Sequence, residues 1–280
     1  MKLCYNTNGL RNIPLIDAIY SIYNIGYEGV EISFHESHLH PFHYDNKSLK
    51  KIRQALNDTG LFPTCLATGC DNLLSNIRYE PSLICEDKQG QKLRIKLLIE
   101  SSIIANSLGI KVINFASGFK DPNLSEDVSY DSLVQNILSL IQTMPDIIFA
   151  IEPEPNMFID TTEKAIKLID DVNSHNLKLN LDIGHVYCCE ENYLDKIKKS
   201  IPYTVHTHIE DIKNKIHHHE IPGDGDIDLF HVLLLFKQFK YKGYFSVELY
   251  HHSSIWKEAL AKSHTNLCSI INKIEADGVK

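Results

Sequence analysis

The sequence has no long apolar run, only one tryptophan and no excess of basic residues. No apolar run reaches the roughly 18 residues that a membrane span needs, which argues against a membrane protein. The 28 Lys and Arg face 36 Asp and Glu, a net charge of −8. This balance argues against a nucleic-acid partner, which needs a basic surface. The chain opens on strand-like residues without a leader, and its seven cysteines are an odd number. We therefore expect a reduced, cytoplasmic protein.

No low-complexity tract and no linker rich in Pro, Gly or Ser interrupts the 280 residues. The hydrophobic share of 43% and the charged share of 23% are typical of a soluble globular protein. A chain of this length is compatible with one large α/β unit. We therefore predict a single domain over residues 1–280.

Short apolar segments alternate with longer amphipathic segments along the whole chain. The predicted strands are Lys2–Asn6, Gly29–Phe34, Phe62–Ala67, Lys111–Phe115, Ile147–Ile151, Lys178–Leu181, Tyr203–His208 and Tyr244–Leu249. The predicted helices are Leu15–Tyr23, Leu93–Ser107, Leu133–Ile141, Ala165–Val172, Leu229–Phe239 and Ile255–Ile274. Glycines in "NIGYEGVEI", "NDTGLFPTC", "NSLGIKVIN" and "KYKGYFSVEL" are predicted to end helices in the left-handed conformation.

Strand–helix units in tandem imply parallel strands joined by crossover helices. Eight such units favour an α/β fold of the closed (β/α)8 barrel type, a TIM barrel, and a doubly wound open sheet is the alternative.

Four consecutive predicted strands end in side chains that can bind a metal. Glu152 follows the fifth strand, Asp182 follows the sixth, His208 ends the seventh and Glu248 lies near the end of the eighth. A single acid at a strand end is usually a helix cap or a surface residue. In a barrel, however, the carboxyl ends of the strands meet, and three buried carboxylates would repel one another without a cation. This set therefore predicts a divalent metal site for Mn²⁺, Mg²⁺, Co²⁺ or Zn²⁺.

The motifs "IEPEP", "LDIGH", "HTHIED", "PGDGDID" and "SVEL" occur in this order along the chain. In them the sequence resembles the sugar phosphate isomerase/epimerase superfamily, the xylose isomerase-like TIM barrels that also include endonuclease IV. The resemblance implies one divalent metal bound by Glu152, Asp182, His208 and Glu248. It also implies that Glu152 and Glu248 form the acid/base pair and that His185 binds a substrate oxygen.

The triplet "HHH" at 217–219 suggests a second metal site by the same resemblance. In endonuclease IV, an Asp-x-His pair four residues before a Gly-x-Gly turn holds an additional zinc with the His after strand six. The corresponding residues here are His217, His219 and His185, a candidate set for a second Zn²⁺. One alternative is a solvated, histidine-rich loop, and another is that His217 and His219 bind a substrate oxygen or phosphate. The strand ends "CLATGC" and "INFASG" lack the histidines of that family's remaining zinc, which argues against DNA repair.

Further substrate contacts are expected at the mouth of the barrel. His38 and His40 lie in the histidine-rich stretch "HESHLHPFH" after strand two, and incidental lid histidines are the alternative. Asn114 lies at the fourth strand end, and Glu154 shares a side with Glu152 by alternation. Glu154 is expected either to reach substrate or to support a ligand. In the turn "PGDGD", Asp226 or Asp228 is expected to cap the helix that begins at Leu229.

The sequence thus predicts a divalent-metal-dependent isomerase or epimerase acting on a small polyhydroxylated carbonyl compound. One alternative is a dehydratase of inosose or dehydroshikimate type on the same site. Others are a two-metal phosphoester hydrolase and a non-catalytic metal-dependent binding protein. Ketose 3-epimerases place an arginine six residues after the ligand histidine, where this chain has Asn214, so a standard free-ketose site is not expected. The exact substrate, the metal identity and a homo-oligomeric assembly stay open.

Overall fold

Eight parallel strands form one closed barrel in the computed structural model, which describes residues 1–68 and 72–276. The strands are β1 (Lys2–Asn6), β2 (Gly29–Ser33), β3 (Phe62–Ala67), β4 (Val112–Ala116), β5 (Ile148–Glu152), β6 (Leu177–Asp182), β7 (Thr204–Ile209) and β8 (Tyr244–Val247). Each strand pairs with the next in the sequence, and β1 pairs with β8. The (β/α)8 prediction is therefore confirmed. Residues 277–280 of the predicted single domain, and Gly69 and Cys70 of "CLATGC", lie outside the described residues.

Helices connect the strands around the outside of the barrel. They are α1 (Leu15–Ile25), α2 (Asn46–Thr59), α3 (Lys88–Leu108), α4 (Glu126–Thr143), α5 (Thr162–Val172), α6 (Ile183–Cys189), α7 (Tyr193–Ser200), α8 (Leu229–Gln238) and α9 (Trp256–Ala276). The six predicted helices are present, and α2, α6 and α7 are additional. No helix in the described part of the chain combines the length and apolar character that crossing a bilayer requires.

The helix α2 had a sequence signal that its many charges obscure. The Asp45 side chain accepts a hydrogen bond from the backbone N–H of Ser48. The Ser48 hydroxyl accepts one from the backbone N–H of Asp45, and together the two bonds form a capping box. Its buried face is a narrow stripe that includes Leu49, Ile52 and Leu56 at helical spacing.

Three of the four predicted glycine caps are confirmed. Gly26, Gly60 and Gly109 follow α1, α2 and α3 with φ of 107°, 70° and 76°. The fourth prediction is wrong, because the left-handed residue after α8 is Lys240, with φ of 55°. Asp228 is the cap at the start of α8, where its side chain accepts from the backbone of His231.

The register of the sheet brings the predicted ligands to one end of the barrel. Asp182 on β6 pairs with His208 on β7, and His208 pairs in turn with Ser246 on β8. Glu152 is the last residue of β5, and Glu248 directly follows β8. Because parallel strands all end at the same rim, residues nearly 100 positions apart in the sequence meet there.

Candidate metal centre

The structure brings the four predicted ligand side chains together around one atom. The Nδ1 atom of His208 lies 2.8 Å from Oε1 of Glu152 and 3.6 Å from Oδ2 of Asp182. It also lies 3.6 Å from Oε2 of Glu248. All four residues are buried, and one ligand atom from each lies within 4.8 Å of the others. Three carboxylates and one imidazole thus share a space of the size of a metal coordination sphere.

Each of the three carboxylates has one oxygen held by a hydrogen-bond donor. Oε2 of Glu152 accepts from Nδ2 of Asn114 at 3.0 Å, and Oδ1 of Asp182 accepts from the backbone N–H of His185 at 2.7 Å. Oε1 of Glu248 accepts from two amides, which belong to Asn6 and Asn8.

The other oxygen of each carboxylate faces His208. The hydrogen bonds therefore orient three oxygens toward one point. In metal sites, hydrogen-bond partners behind the ligands orient those ligands in the same way.

The electrostatics of this cluster fit a bound cation. Oδ2 of Asp182 is buried and has no hydrogen-bond partner among the described residues. Burial, together with the neighbouring carboxylates, raises the pKa of Glu248 to about 8. Although burial alone would lower it, the carboxylates around His208, Glu31 foremost, hold the pKa of its imidazole well above the usual value. A divalent ion would satisfy the orphaned oxygen and offset the repulsion, and hard oxygen donors with one imidazole suit Mn²⁺, Mg²⁺, Co²⁺ or Zn²⁺.

The three histidines predicted for a second site also come together. Nδ1 of His185 contacts the carbonyl oxygen of Pro153 at 3.0 Å, and Nδ1 of His219 contacts that of Glu248 at 2.9 Å. A carbonyl only accepts, so both rings carry a proton on Nδ1. Although burial opposes it, the neighbouring carboxylates, Asp182 foremost, raise the pKa of His185 to about 9, so its Nε2 also carries a proton in the absence of an ion. Nε2 of His219 lies 3.3 Å from Nε2 of His217. Burial lowers the pKa of His217 to about 4 and that of His219 to about 3, so both rings are neutral, as ligands must be.

A cavity of about 200 Å³ opens beside these clusters. It is lined by six of the predicted site residues: Asn114, Glu152, Glu154, His185, His217 and Glu248. Glu154 accepts from the Tyr79 hydroxyl at 3.1 Å and has its other oxygen 3.8 Å from Nε2 of His185. Burial raises the pKa of Glu154 to about 7, so this side chain can both donate to and accept from a bound hydroxyl group.

The structure does not bring His38 and His40 to this cavity. Nε2 of His38 bonds the carbonyl oxygen of Ile13 at 2.9 Å. The ring of His40 stacks on His43, with centroids 4.1 Å apart, and its Nδ1 accepts from the backbone of Phe42. His38 ties the loop to the segment before α1 and His40 packs within the loop, so the predicted substrate contact has no support from the geometry.

Sequence reasoning missed two buried carboxylates at this end of the barrel. Glu31 on β2 is fully buried and contacts His206, His208 and Ser246. Glu210, directly after β7, accepts from the backbone of Gly184, and its other oxygen is buried without a hydrogen-bond partner in the described chain. Burial raises the pKa of Glu210 well above its usual value, and the nearby Asp182 adds to this rise. The available signal was alternation, since Glu31 is a single acid inside a buried strand and Glu210 continues the face of His206 and His208.

The loop that carries the histidine triplet is held by Asp211. Its Oδ2 accepts from the backbone of Gly223 at 2.9 Å, and its Oδ1 accepts from Ile212 at 2.9 Å and from Ile227 at 3.0 Å. Its backbone exchanges two hydrogen bonds with Glu220. Asp211 therefore fixes both ends of the segment that includes His217 and His219.

We expect the substitution Asp211→Asn to lower the free energy of unfolding by about 1–3 kcal/mol. An amide has one acceptor oxygen, so its N–H group would face one of the backbone N–H groups that the carboxylate now satisfies. Chemical denaturation followed by circular dichroism measures the loss. Asp226→Asn is the matched control, because this exposed side chain accepts from a single backbone group, that of Asn214. Equal stability of the Asp211 variant and the wild type would contradict the assignment.

The family model described as the xylose isomerase-like TIM barrel matches residues 19–268. The chain belongs to this family. Among curated proteins it is 28% identical over 151 residues to hydroxypyruvate isomerase from Escherichia coli, an alignment that covers 51% of this chain and 57% of that protein. It is 24% identical over 206 residues to 3-dehydroshikimate dehydratase from Bacillus anthracis, with 72% and 68% covered.

Solved structures show the same fold over nearly the whole chain. The IOLI protein with a bound zinc atom superposes with a TM-score of 0.81 at 21% identity, over 98% of this chain and 99% of that one. D-psicose 3-epimerase in the presence of D-fructose superposes with a TM-score of 0.79 at 18% identity, over 96% and 98%. The curated relatives are enzymes, in agreement with the prediction of an enzyme. The hydroxypyruvate isomerase alignment spans little more than half of that protein, so the reaction of that relative is not assigned to this chain.

Proposed function

We propose that this protein is a divalent-metal-dependent isomerase or epimerase of a small polyhydroxylated carbonyl compound, such as a sugar, a sugar phosphate or an inosose. The observation that carries the proposal is the convergence of three buried carboxylate oxygens on Nδ1 of His208 beside the cavity. The cavity of about 200 Å³ suits a small substrate. Support comes from relatives named as a hydroxypyruvate isomerase and a D-psicose 3-epimerase.

Glu152, Asp182, His208 and Glu248 are the proposed ligands of the ion. An ion bound there would polarise the carbonyl and hydroxyl oxygens of a substrate. Add-back of Mn²⁺, Zn²⁺, Co²⁺ and Mg²⁺ to the chelated protein identifies which of these ions the site prefers.

Glu152 and Glu248 are the proposed acid/base pair. Both line the cavity, so one carboxylate can remove the proton alpha to the substrate carbonyl, and the other can return a proton. The amides of Asn114, Asn6 and Asn8 hold the two carboxylates in place. Nε2 of His185 and the carboxyl of Glu154 face the same space, and we assign them to substrate hydroxyl groups. Asn114 lines the cavity as well, and its side-chain amide donates a hydrogen bond to Glu152.

A dehydratase on the same site is the second candidate. After the same proton abstraction, a beta hydroxyl would leave instead of a proton returning. His185 lines the cavity close to Glu154 and Asp182, where it can donate to a departing hydroxyl group. Relatives named 3-dehydroshikimate dehydratase and inosose dehydratase support this reading.

The isotope content of the product distinguishes these reactions. The metal-loaded protein is incubated in D₂O with hydroxypyruvate, 3-dehydroshikimate, an inosose and D-fructose, each in a separate reaction. Isomerisation or epimerisation adds one deuterium to the carbon skeleton, whereas dehydration removes the mass of one water. Absence of both changes on every substrate, with the ion bound, would count against a site that moves protons on such compounds.

A second Zn²⁺ on His185, His217 and His219 would point to a phosphoester hydrolase. If that ion is present, His219→Ala should remove about one zinc equivalent per chain, because it deletes one of three ligands. Elemental analysis of protein purified without an affinity tag measures it. His231→Ala is the control, because this exposed histidine bonds Asp228 at the start of α8 and belongs to neither candidate ligand cluster. Unchanged zinc content in the His219 variant would end the two-metal reading.

A further inference from the structure

Glu31 is a buried carboxylate beneath the proposed metal ligands. It lies in the middle of β2, where its Cα pairs with Asn6 on β1 and Cys65 on β3, and its side chain is fully buried. A buried carboxylate is costly unless its charge is compensated by hydrogen bonds or positive groups. Glu31 is therefore expected to have a specific set of partners.

Three donors from two other strands surround Glu31. Nε2 of His208 lies 3.1 Å from both of its oxygens, Nε2 of His206 lies 3.0 Å from Oε2, and the Ser246 hydroxyl donates to Oε2 at 2.6 Å. An ionised carboxylate only accepts, so both imidazoles carry a proton on Nε2. His206 and Ser246 hold Glu31 in place, and Glu31 contacts His208.

His208 thus presents its two ring nitrogens to two different groups. Nε2 faces Glu31, and Nδ1 faces the carboxylates of Glu152, Asp182 and Glu248. Glu31 is the only side chain among the described residues in hydrogen-bond contact with Nε2 of His208. The tautomer that leaves the Nδ1 lone pair available is therefore the one that Glu31 stabilises.

We propose that Glu31 is the positioning residue of the metal site, which fixes the ring orientation and the Nε2–H tautomer of His208 so that Nδ1 binds the ion. The proposal rests on the metal site proposed above. Glu31 does not line the cavity, so it acts through His208 and not on the substrate. A carboxylate behind a ligand histidine also makes the ring a stronger donor to the metal.

The substitution Glu31→Gln tests this assignment through the dissociation constant for Zn²⁺, measured by competition with a chromophoric chelator. Glutamine keeps the shape but loses the charge, so we expect about 10- to 100-fold weaker binding. Glu190→Gln is the matched control, because Glu190 is also buried but holds Thr162 at the start of α5, away from the ligands. Its Zn²⁺ affinity should equal that of the wild type.

The ¹⁵N shifts of labelled histidines in the Zn²⁺-loaded wild type give a second readout. They report which ring nitrogen of His208 carries the proton and which one binds the ion, and a purely structural role of Glu31 makes no prediction about either. The proposal predicts that His208 is protonated on Nε2 and coordinated through Nδ1. This measurement also decides the matter if Glu31→Gln does not fold. Coordination through Nε2, or unchanged Zn²⁺ affinity in a folded Glu31 variant, would overturn the positioning role. Failure of the wild type to bind any ion would instead overturn the proposed metal site itself.

Discussion

The variant Glu248→Gln is expected to lose turnover by about 1000-fold while the barrel stays folded. The glutamine oxygen can still accept from Asn6 and Asn8, so the local structure is retained. The amide has no negative charge for the ion and cannot carry a proton between substrate atoms. Loss of a positioned acid or base alone lowers rates by about 10²- to 10⁴-fold. The measurement is kcat for whichever substrate shows deuterium exchange, together with the metal content of the purified variant.

Glu190→Gln again supplies the control for this change. This variant also replaces a buried glutamate with glutamine, but outside the site, so its activity should match that of the wild type. Circular dichroism and thermal unfolding establish that both variants are folded. Wild-type kcat in a folded Glu248 variant would show that this carboxylate takes no part in the chemistry.

Metal binding at pH 7 is expected to release about one to two protons per ion. In the metal-free protein the pKa of His208 is held well above its usual value, and the pKa of Glu248 is raised to about 8. Both groups are therefore largely protonated at pH 7, and the ion must displace protons from Nδ1 and from the carboxyl. Protons and the ion compete for the same atoms, so affinity falls as the pH falls below about 8. Between pH 7 and pH 6 the loss is about 10-fold for each proton released.

Isothermal titration of the chelator-treated protein measures this release. Binding heats in two buffers with different ionisation enthalpies give the number of protons, and a series of pH values gives the dependence of the dissociation constant. His218→Ala is a suitable control, because this exposed histidine belongs to the triplet but stands outside both clusters of ligands. Equal heats in both buffers and a dissociation constant independent of pH would show that the ion binds elsewhere.

The proposed ligands could be found from the sequence because strand alternation and the barrel rim are both regular. Glu152, Asp182, His208 and Glu248 each mark the end of a short apolar segment, and the fold brings strand ends together. The sequence alone could not indicate which residues hold these ligands in place. Glu31 meets His206, His208 and Ser246 only through the stagger of the barrel, at separations of 175 residues or more. No local pattern encodes that pairing.

Loop side chains were harder to predict than strand side chains. His38 and His40 have the composition of a binding loop, but their direction depends on backbone contacts with Ile13 and Phe42 that a pattern does not reveal. His217 and His219 lie together with His185, as their spacing from the turn suggested, because Asp211 holds that turn. A loop position was therefore predictable where a neighbouring motif limited its geometry.

The most direct test of the account is the metal content of untagged protein before and after the change Asp182→Asn. Among the four proposed ligands, Asp182 contributes a buried oxygen, Oδ2, that has no hydrogen-bond partner among the described residues, so this substitution removes a ligand atom that only the ion would satisfy. After chelation and add-back of Mn²⁺, Co²⁺, Mg²⁺ or Zn²⁺ in turn, the wild type should retain about one tightly bound equivalent of at least one ion. The folded variant should retain far less. A wild type that holds no ion, or a variant that holds as much as the wild type, would contradict the metal centre on which the proposed function depends.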